Sequence, residues 1–181
     1  MLKTARRTKP QPVDDLTVSR PELLQEGNDY LFRQFVHDTL AFGARIQGVR
    51  DALAGVVGLS GPKYTILIAI AHEQGDGVGI NYVAERLHLS APFVTIEVKK
   101  LVALRLVSKT ANPADGRRVL LKVTEKGLRL LDDLKAVQRP VNDALFETLS
   151  ADDFARMRRK MSELVESADR ALKLLALLSP R

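Results

Sequence analysis

The sequence contains no cysteine, which excludes disulfide bonds, zinc–thiolate centres, iron–sulfur clusters and thiol-based redox sensing. Tryptophan is also absent, and aromatic residues make up only 5% of the 181 residues. The 45% of hydrophobic residues must therefore build a core mainly from leucine, valine, isoleucine and alanine. Such a composition favours helices that associate through amphipathic faces.

Long apolar runs are missing as well. No stretch reaches the roughly 18 residues of a membrane span, and the N-terminus has no apolar signal segment, so we expect a cytoplasmic protein. Positive charge is in excess, because 28 Lys and Arg face 22 Asp and Glu and give a formal net charge of +6. This balance points to a polyanionic partner, and nucleic acid is the commonest one.

The N-terminal segment, residues 1–27, is rich in proline and carries a basic cluster at Lys3, Arg6, Arg7 and Lys9. We predict a flexible basic arm. Such an arm is either a solvated tail or a segment that enters a DNA groove, and the sequence leaves both open.

Apolar residues recur with helical spacing on both sides of the central segment. Residues 28–58 carry one stripe, which Gly58 is expected to end. Residues 125–178 carry a longer pattern, in which Pro140 is expected to kink or break the helix and Ser150 begins a capping-box pattern. The final stripe consists of Phe154, Met157, Met161, Leu164, Ala168, Leu172 and Leu175. Its alternating spacing of three and four is that of a helix–helix interface, so both ranges are predicted to form a helical dimerisation region.

The central segment, residues 59–124, contains a helix–turn–helix pattern. A short helix covers about 81–88, and Ser90 is the predicted N-cap of the second helix, with Pro92 in its first turn. Val94, Val98, Leu101 and Leu104 are expected to point inward. The predicted outward residues are Ala91, Phe93, Thr95, Ile96, Lys99 and Lys100. A helix with one apolar and one polar face fits the major groove, although many helical pairs share this pattern.

A predicted β-hairpin follows the second helix. Residues 106–110 and 119–123 have strand character, and residues 112–116 are rich in turn formers. Between residues 99 and 118 the basic side chains are Lys99, Lys100, Arg105, Lys109, Arg117 and Arg118, and the only acid is Asp115. Charge of one sign is costly unless something neutralises it, which a phosphate backbone does. The alternative is an ordinary solvated loop.

These segments together resemble the MarR (multiple-antibiotic-resistance regulator) family. The matching runs are LSAPFVT at 89–95, KLVALRLV at 100–107, NPADGRR at 112–118 and VLLKVTEKG at 119–127. They reproduce, in order, the family's turn and helix, its Asp-x-Arg hairpin tip, its short strand and its Thr-x-x-Gly helix start. The match spans about residues 59–130. One departure is Ile96, which stands where the family often has arginine, so no base preference can be transferred.

The resemblance implies a mainly α fold with a small β-hairpin wing, a winged helix–turn–helix with long terminal dimerisation helices. It implies a homodimer with residues 59–124 as the DNA-binding domain and Arg117 in the minor groove, and it implies that Asp115 holds either Arg117 or the base of the wing by an ion pair. The predicted DNA contacts are Ser90, Pro92, Phe93, Thr95, Ile96, Lys99, Lys100, Asp115, Arg117 and Arg118. The leading hypothesis is a repressor that a small ligand releases from a pseudo-palindromic operator, with activation still open.

The family also implies a pocket for a small-molecule effector, often an aromatic carboxylate, between the dimer helices and the winged domain. A carboxylate needs a cation or hydrogen-bond donors in an apolar cleft. The candidates are Arg33, His37, Arg45 and Tyr64, each of which is alternatively an ordinary helix-face residue.

No catalytic constellation or cofactor motif is present, and His37, His72 and His88 are too scattered to predict a metal site. The sequence therefore predicts neither an enzyme nor a cofactor. Two alternatives to a ligand-responsive regulator remain: a weakly specific, ligand-independent architectural DNA-binding protein, and a helical protein–protein adaptor that has lost DNA binding.

Overall fold

The structure, a computed structural model, describes residues 15–73, 75, 77–112 and 115–179, except for the side chains of residues 115–118. Its elements are a 3-10 turn Pro21–Leu23, helices α1 (Tyr30–Val56), α2 (Gly61–His72), α3 (Ile80–Leu87) and α4 (Ala91–Ala103), strands β1 (Val107–Asn112) and β2 (Asp115–Val123), and helices α5 (Glu125–Leu145) and α6 (Ala151–Leu178). The prediction of a mainly α fold with a small hairpin is confirmed.

The helix boundaries follow from local sequence signals. Gly58 takes a positive φ of +70° after the end of α1, a conformation that glycine adopts without a Cβ penalty. Pro62 lies in the first turn of α2, where its missing N–H costs no hydrogen bond. His88 is left-handed at φ +51° and ends α3, so the chain turns tightly into α4.

The hairpin is a two-stranded antiparallel sheet in which Val107 pairs with Val123 and Thr110 with Leu120. The register shifts after Ala111, near the tip. Val78 adds a short bridge to Leu121, with N–O distances of 2.8 and 3.1 Å between their backbones. This bridge connects the segment before α3 to the hairpin.

The core surrounds α2, which contacts α1, α3, α4 and β2. Ile66, Leu67 and Ile70 are fully buried on this helix. The other buried apolar side chains include Leu53, Val83, Val94, Val98, Leu101, Leu121 and Leu134. These buried side chains come from α1, α2, α3, α4, β2 and α5, which thus share one apolar interior, and the outer face of α4 is left for other contacts.

The chain divides into two compact units, Met1–Leu134 and Lys135–Arg181. In the second unit, α6 begins with the predicted capping box: Ser150 Oγ accepts from the Asp153 N–H at 3.1 Å, and the Asp153 carboxylate accepts from the Ser150 N–H. No residue of α6 is buried. No single helix in the described ranges is long and apolar enough to cross a membrane; α1 and α2 reach that length and hydropathy only as a pair bent by 89°.

The expected burial of Leu104 is wrong, and so is the expectation that Pro140 could break its helix, while a kink there stays a prediction. Leu104 is 42% exposed, because α4 ends at Ala103 and Leu104 lies beyond its last buried turn. Pro140 does not break α5, which continues to Leu145. A proline removes a single backbone donor, and the helical bonds on either side of it persist.

The N-terminal segment predicted as an arm is described only from residue 15. Glu26 and Gly27 both have positive φ, and Gln25 and Asn28 exchange backbone hydrogen bonds around them. This reversal brings Thr17 to Asp29, whose Oδ2 accepts from the Thr17 N–H at 2.8 Å and from its hydroxyl at 2.6 Å. Residues 1–14, including the basic cluster, lie outside the described residues.

Candidate nucleic-acid interface

Helix α4 has one buried and one exposed face. Val94, Val98 and Leu101 are fully buried. Of the predicted contact residues on this helix, Pro92, Phe93, Ile96, Lys99 and Lys100 are exposed. Ile96 is 52% exposed, so about half of an apolar residue faces solvent on the outer face of α4. The structure therefore brings these five residues together on one exposed surface.

Two predicted contact residues are engaged within the helix. Ser90 is the N-cap, and its Oγ accepts from the Phe93 N–H at 3.4 Å. Thr95 is half-buried, and its hydroxyl donates to the Ala91 carbonyl at 2.8 Å. Because the hydroxyl proton is used there, Thr95 is left with acceptor capacity, which matches the exocyclic amino group of adenine or cytosine.

A buried carboxylate lies at the edge of the same helix. Glu97 is only 6% exposed, and its Oε1 accepts from Lys100 Nζ at 2.5 Å. Its Oε2 lies 3.8 Å from Nζ of Lys63 in the first turn of α2, and Lys63 also donates to Ser60 Oγ at 3.1 Å. Sequence reasoning missed this group, although Glu97 is the one acid within α4 and precedes Lys100 by three residues.

The hairpin extends next to α4 and carries Lys109 on its exposed side. Asp115 begins β2, and Arg117 and Arg118 follow within the same strand. The side chains of these three predicted contact residues lie outside the described part of the chain. Their assignment to DNA stays a prediction.

The base of the hairpin is held by Thr124. Its hydroxyl donates to the Arg105 carbonyl at 2.7 Å and accepts from the Gly127 N–H at 3.1 Å. Its own N–H donates to the Leu106 carbonyl at 3.0 Å. The Thr-x-x-Gly pattern therefore links the end of α4, the start of β1 and the first turn of α5.

Of the four predicted ligand contacts, three lie on α1 and the fourth, Tyr64, lies on α2. Arg33 pairs with Asp29 at 3.0 Å, His37 is exposed, and Arg45 donates to the carbonyl of Ala41 at 2.9 Å. Tyr64 is only 1% exposed and belongs to the core. The Arg50 guanidinium lies 5.6 Å from the centre of the Tyr64 ring.

Three surface cavities of the described structure are lined by other residues. One, of about 470 Å³, lies between the end of α1 and the start of α5 and is lined by apolar side chains such as Val56 and Leu130, by the cations Lys126 and Arg129, and by Asp133. A second, of about 370 Å³, lies between the start of α3 and the hairpin. The third, of about 520 Å³, lies beside His72 and Tyr82. Only the first combines apolar walls with two cations.

Several side chains of the described structure have shifted pKa values. The hydrogen bonds from Thr17 lower the pKa of Asp29. Burial raises the pKa of Tyr64, and the nearby Arg50 opposes this shift. The pKa of Tyr82 is raised because its hydroxyl donates to Glu73 at 2.8 Å. In the described ranges no group of three or more His, Asp or Glu side chains could hold a metal ion.

Known proteins share this arrangement. Residues 57–118 match the sequence model of the MarR family. The HTH-type transcriptional regulator MhqR of Bacillus subtilis is 27% identical over 96 residues, which cover 53% of this chain and 65% of MhqR. The match thus spans slightly less than two thirds of that relative's length.

Two solved structures are also similar. CouR from Rhodococcus jostii RHA1, bound to p-coumaroyl-CoA, is 30% identical with a TM-score of 0.61, covering 67% of this chain and 85% of CouR. PcaV from Streptomyces coelicolor, in complex with its natural ligand, is 27% identical with a TM-score of 0.55, covering 70% of this chain and 90% of PcaV. Because the family model matches the helix–turn–helix and most of the hairpin, and because CouR is similar over most of its length, this chain belongs to the MarR family of transcription regulators.

Proposed function

We propose that this chain is a homodimeric, sequence-specific repressor that a small molecule releases from its operator. The observation that carries the proposal is the exposed face of α4, where Pro92, Phe93, Ile96, Lys99 and Lys100 stand outside a fully buried inner face. A rigid helix with this division fits the major groove. Its action is binding rather than catalysis, in keeping with a family of transcription regulators.

Base recognition and phosphate binding fall to different side chains of this face. Ile96 and Phe93 are suited to contact a thymine methyl group, and Thr95 can accept a hydrogen bond from a base. Lys99 and Lys100 are suited to phosphates, which fix the register of the helix without reading the sequence. The arginines of the hairpin, above all Arg117, would reach the adjacent minor groove.

Dimerisation is supported by the apolar stripe of α6. Met161 is 45% exposed, Leu164 47% and Leu172 66% within the single chain. A continuous apolar stripe of this length is costly in water and is typical of a helix–helix interface. A two-fold dimer would place two recognition helices in successive major grooves about 34 Å apart, which calls for a pseudo-palindromic operator.

Ligand release is supported by two relatives whose structures contain ligands, CouR with p-coumaroyl-CoA and PcaV with its natural ligand. In this chain the cavity between α1 and α5 offers apolar walls from Val56 and Leu130 and the cations of Lys126 and Arg129, which suit an aromatic carboxylate. Lys126 also donates to the Leu104 carbonyl at 3.0 Å, next to the end of α4. A ligand there releases DNA only if it binds the DNA-free shape more tightly.

The test is fluorescence anisotropy on labelled duplexes, using DNA from upstream of the gene, sites obtained by random-sequence selection, and a scrambled duplex. The variants are Lys99→Ala and Arg117→Ala, with Lys160→Ala on α6 as the matched loss of one positive charge. We expect Lys99→Ala to weaken binding to all duplexes alike, and Arg117→Ala to weaken operator binding by about 1–3 kcal/mol. Lys160→Ala should leave both unchanged.

Aromatic carboxylates and p-coumaroyl-CoA are then titrated into the operator complex. Release of DNA by one of them supports the ligand-responsive repressor. If no compound shifts the affinity, the protein is a ligand-independent DNA-binding protein. If the native protein binds neither selected nor scrambled DNA, the DNA-binding proposal is refuted and a helical adaptor takes its place.

A further inference from the structure

Glu97 is a buried carboxylate on the helix that we assign to DNA. Its side chain is 8% exposed, and two ammonium groups approach it, Lys100 at 2.5 Å and Lys63 at 3.8 Å. Removing a carboxylate from water is expensive, and only well-placed cations offset that cost. Such a group adds little net stability compared with an apolar side chain, so its presence calls for a further role.

The carboxylate lies at one edge of the exposed face of α4. Phe93, Glu97 and Lys100 are spaced by four and three residues, so they follow one line along the helix. Phe93 and Lys100 are exposed, whereas Glu97, which lies between them along this line, is buried. Lys63 reaches the same carboxylate from α2, which brings the first turn of α2 to the border of the interface.

This bridge orders two flexible side chains before DNA arrives. A free lysine has considerable rotamer entropy, and part of it is lost when the ammonium group binds a phosphate. Ser60 Oγ accepts a further hydrogen bond from Lys63 at 3.1 Å. The two lysines and Glu97 leave one net positive charge at this edge, since two ammonium groups face one carboxylate.

We propose that Glu97 is a positioning residue of the DNA interface and that Lys63 contacts a phosphate beside α4. Glu97 holds α4 against α2 and keeps the ammonium groups of Lys63 and Lys100 at the border of the DNA major groove. The inference rests on the proposed function, because it requires α4 to bind DNA. It extends the interface beyond the helix–turn–helix to the first turn of α2.

The experiment measures Kd for the selected operator and for the scrambled duplex between 50 and 200 mM salt, with Lys63→Ala, Lys63→Arg and Glu97→Gln. The matched controls come from Lys160 and Glu163 on α6, an exposed ion pair with the same spacing of three residues and an N–O distance of 2.7 Å. Lys160→Ala and Glu163→Gln repeat the charge changes outside the interface. Thermal unfolding of each variant records its folding.

Each dimer carries two copies of Lys63, so Lys63→Ala should lower the slope of log K against log salt by about 1.8, and its loss of affinity over this salt range should be about 12-fold smaller than that of the native protein. Lys63→Arg keeps the positive charge and should have the same salt slope as the native protein. Glu97→Gln should reduce the ratio of scrambled to operator Kd by about fivefold, because α4 and the two lysines lose their common anchor. The α6 variants should change neither quantity.

An unchanged slope in folded Lys63→Ala overturns the phosphate contact. A Glu97→Gln protein that melts earlier but keeps its specificity ratio overturns the positioning role and leaves Glu97 purely structural. If Glu97→Gln fails to fold, the slopes of the two Lys63 variants still decide the contact. Failure of the native protein to bind any duplex refutes the proposed function itself, which is a different result from native binding with unaffected variants.

Discussion

Gly127 lies in the first turn of α5, where the helix passes very close to the base of the hairpin. A Cβ built on Gly127 would stand 2.5 Å from the Leu106 carbonyl oxygen and 2.6 Å from Cγ1 of Val123. Both neighbours are buried, and one of them is backbone. We therefore predict that Gly127→Ala destabilises the protein, although alanine is the better helix former.

Two opposing effects set the magnitude. In a helix interior, alanine is favoured over glycine by about 1 kcal/mol, and less than this is expected in a first turn. Forcing a methyl group into a packed site typically costs about 1–3 kcal/mol. Here the Leu106 carbonyl also accepts from the Thr124 N–H at 3.0 Å, so a shift of either segment strains that hydrogen bond. The clash should prevail, and the free energy of unfolding should fall by about 1–2 kcal/mol.

The assay is urea unfolding followed by circular dichroism at one fixed protein concentration, because the stability of a dimer depends on concentration. The matched control is Gly48→Ala in the middle of α1, where the added Cβ meets nothing within 4 Å. That variant should gain up to about 1 kcal/mol. A Gly127→Ala protein as stable as the native one would refute the reasoning, since the close approach would then relax without cost.

Two further predictions concern the N-terminal segment and α6. Asp29 has a lowered pKa in the folded protein, so its contribution to stability is present above the ordinary carboxyl range and is lost as the pH falls through the lowered pKa. Asp29→Asn should therefore destabilise the protein near neutral pH and lose this effect in acid, as urea unfolding at several pH values would show; equal stability of the two proteins at neutral pH contradicts this. Leu164→Glu should shift the protein from dimer to monomer in light scattering, because it places charge on the apolar stripe, while Glu163→Gln should not; a dimer that survives Leu164→Glu contradicts the assignment of α6.

The sequence alone predicts the order of elements, because the relevant signals are local. Pro62 marks the start of α2, Gly58 follows α1, and Ser150 with Asp153 caps α6, all as the structure has them. The inner face of α4 is predicted by the spacing of Val94, Val98 and Leu101. The family is likewise evident from motifs that lie close together along the chain.

Tertiary packing decides what these signals leave open. Tyr64 has a hydroxyl group that could bind a ligand, but the other elements packed around α2 bury it in the core. In the sequence, Glu97 is simply an acid beside two lysines of α4, and only the packing of α2 shows that Lys63 approaches its carboxylate. In the sequence, Gly127 is part of the Thr-x-x-Gly motif, and only the structure shows that a side chain there would clash with the base of the hairpin. Periodicity and capping depend on neighbours a few residues away, whereas burial, ion pairing and close approach depend on which distant segments the core brings together.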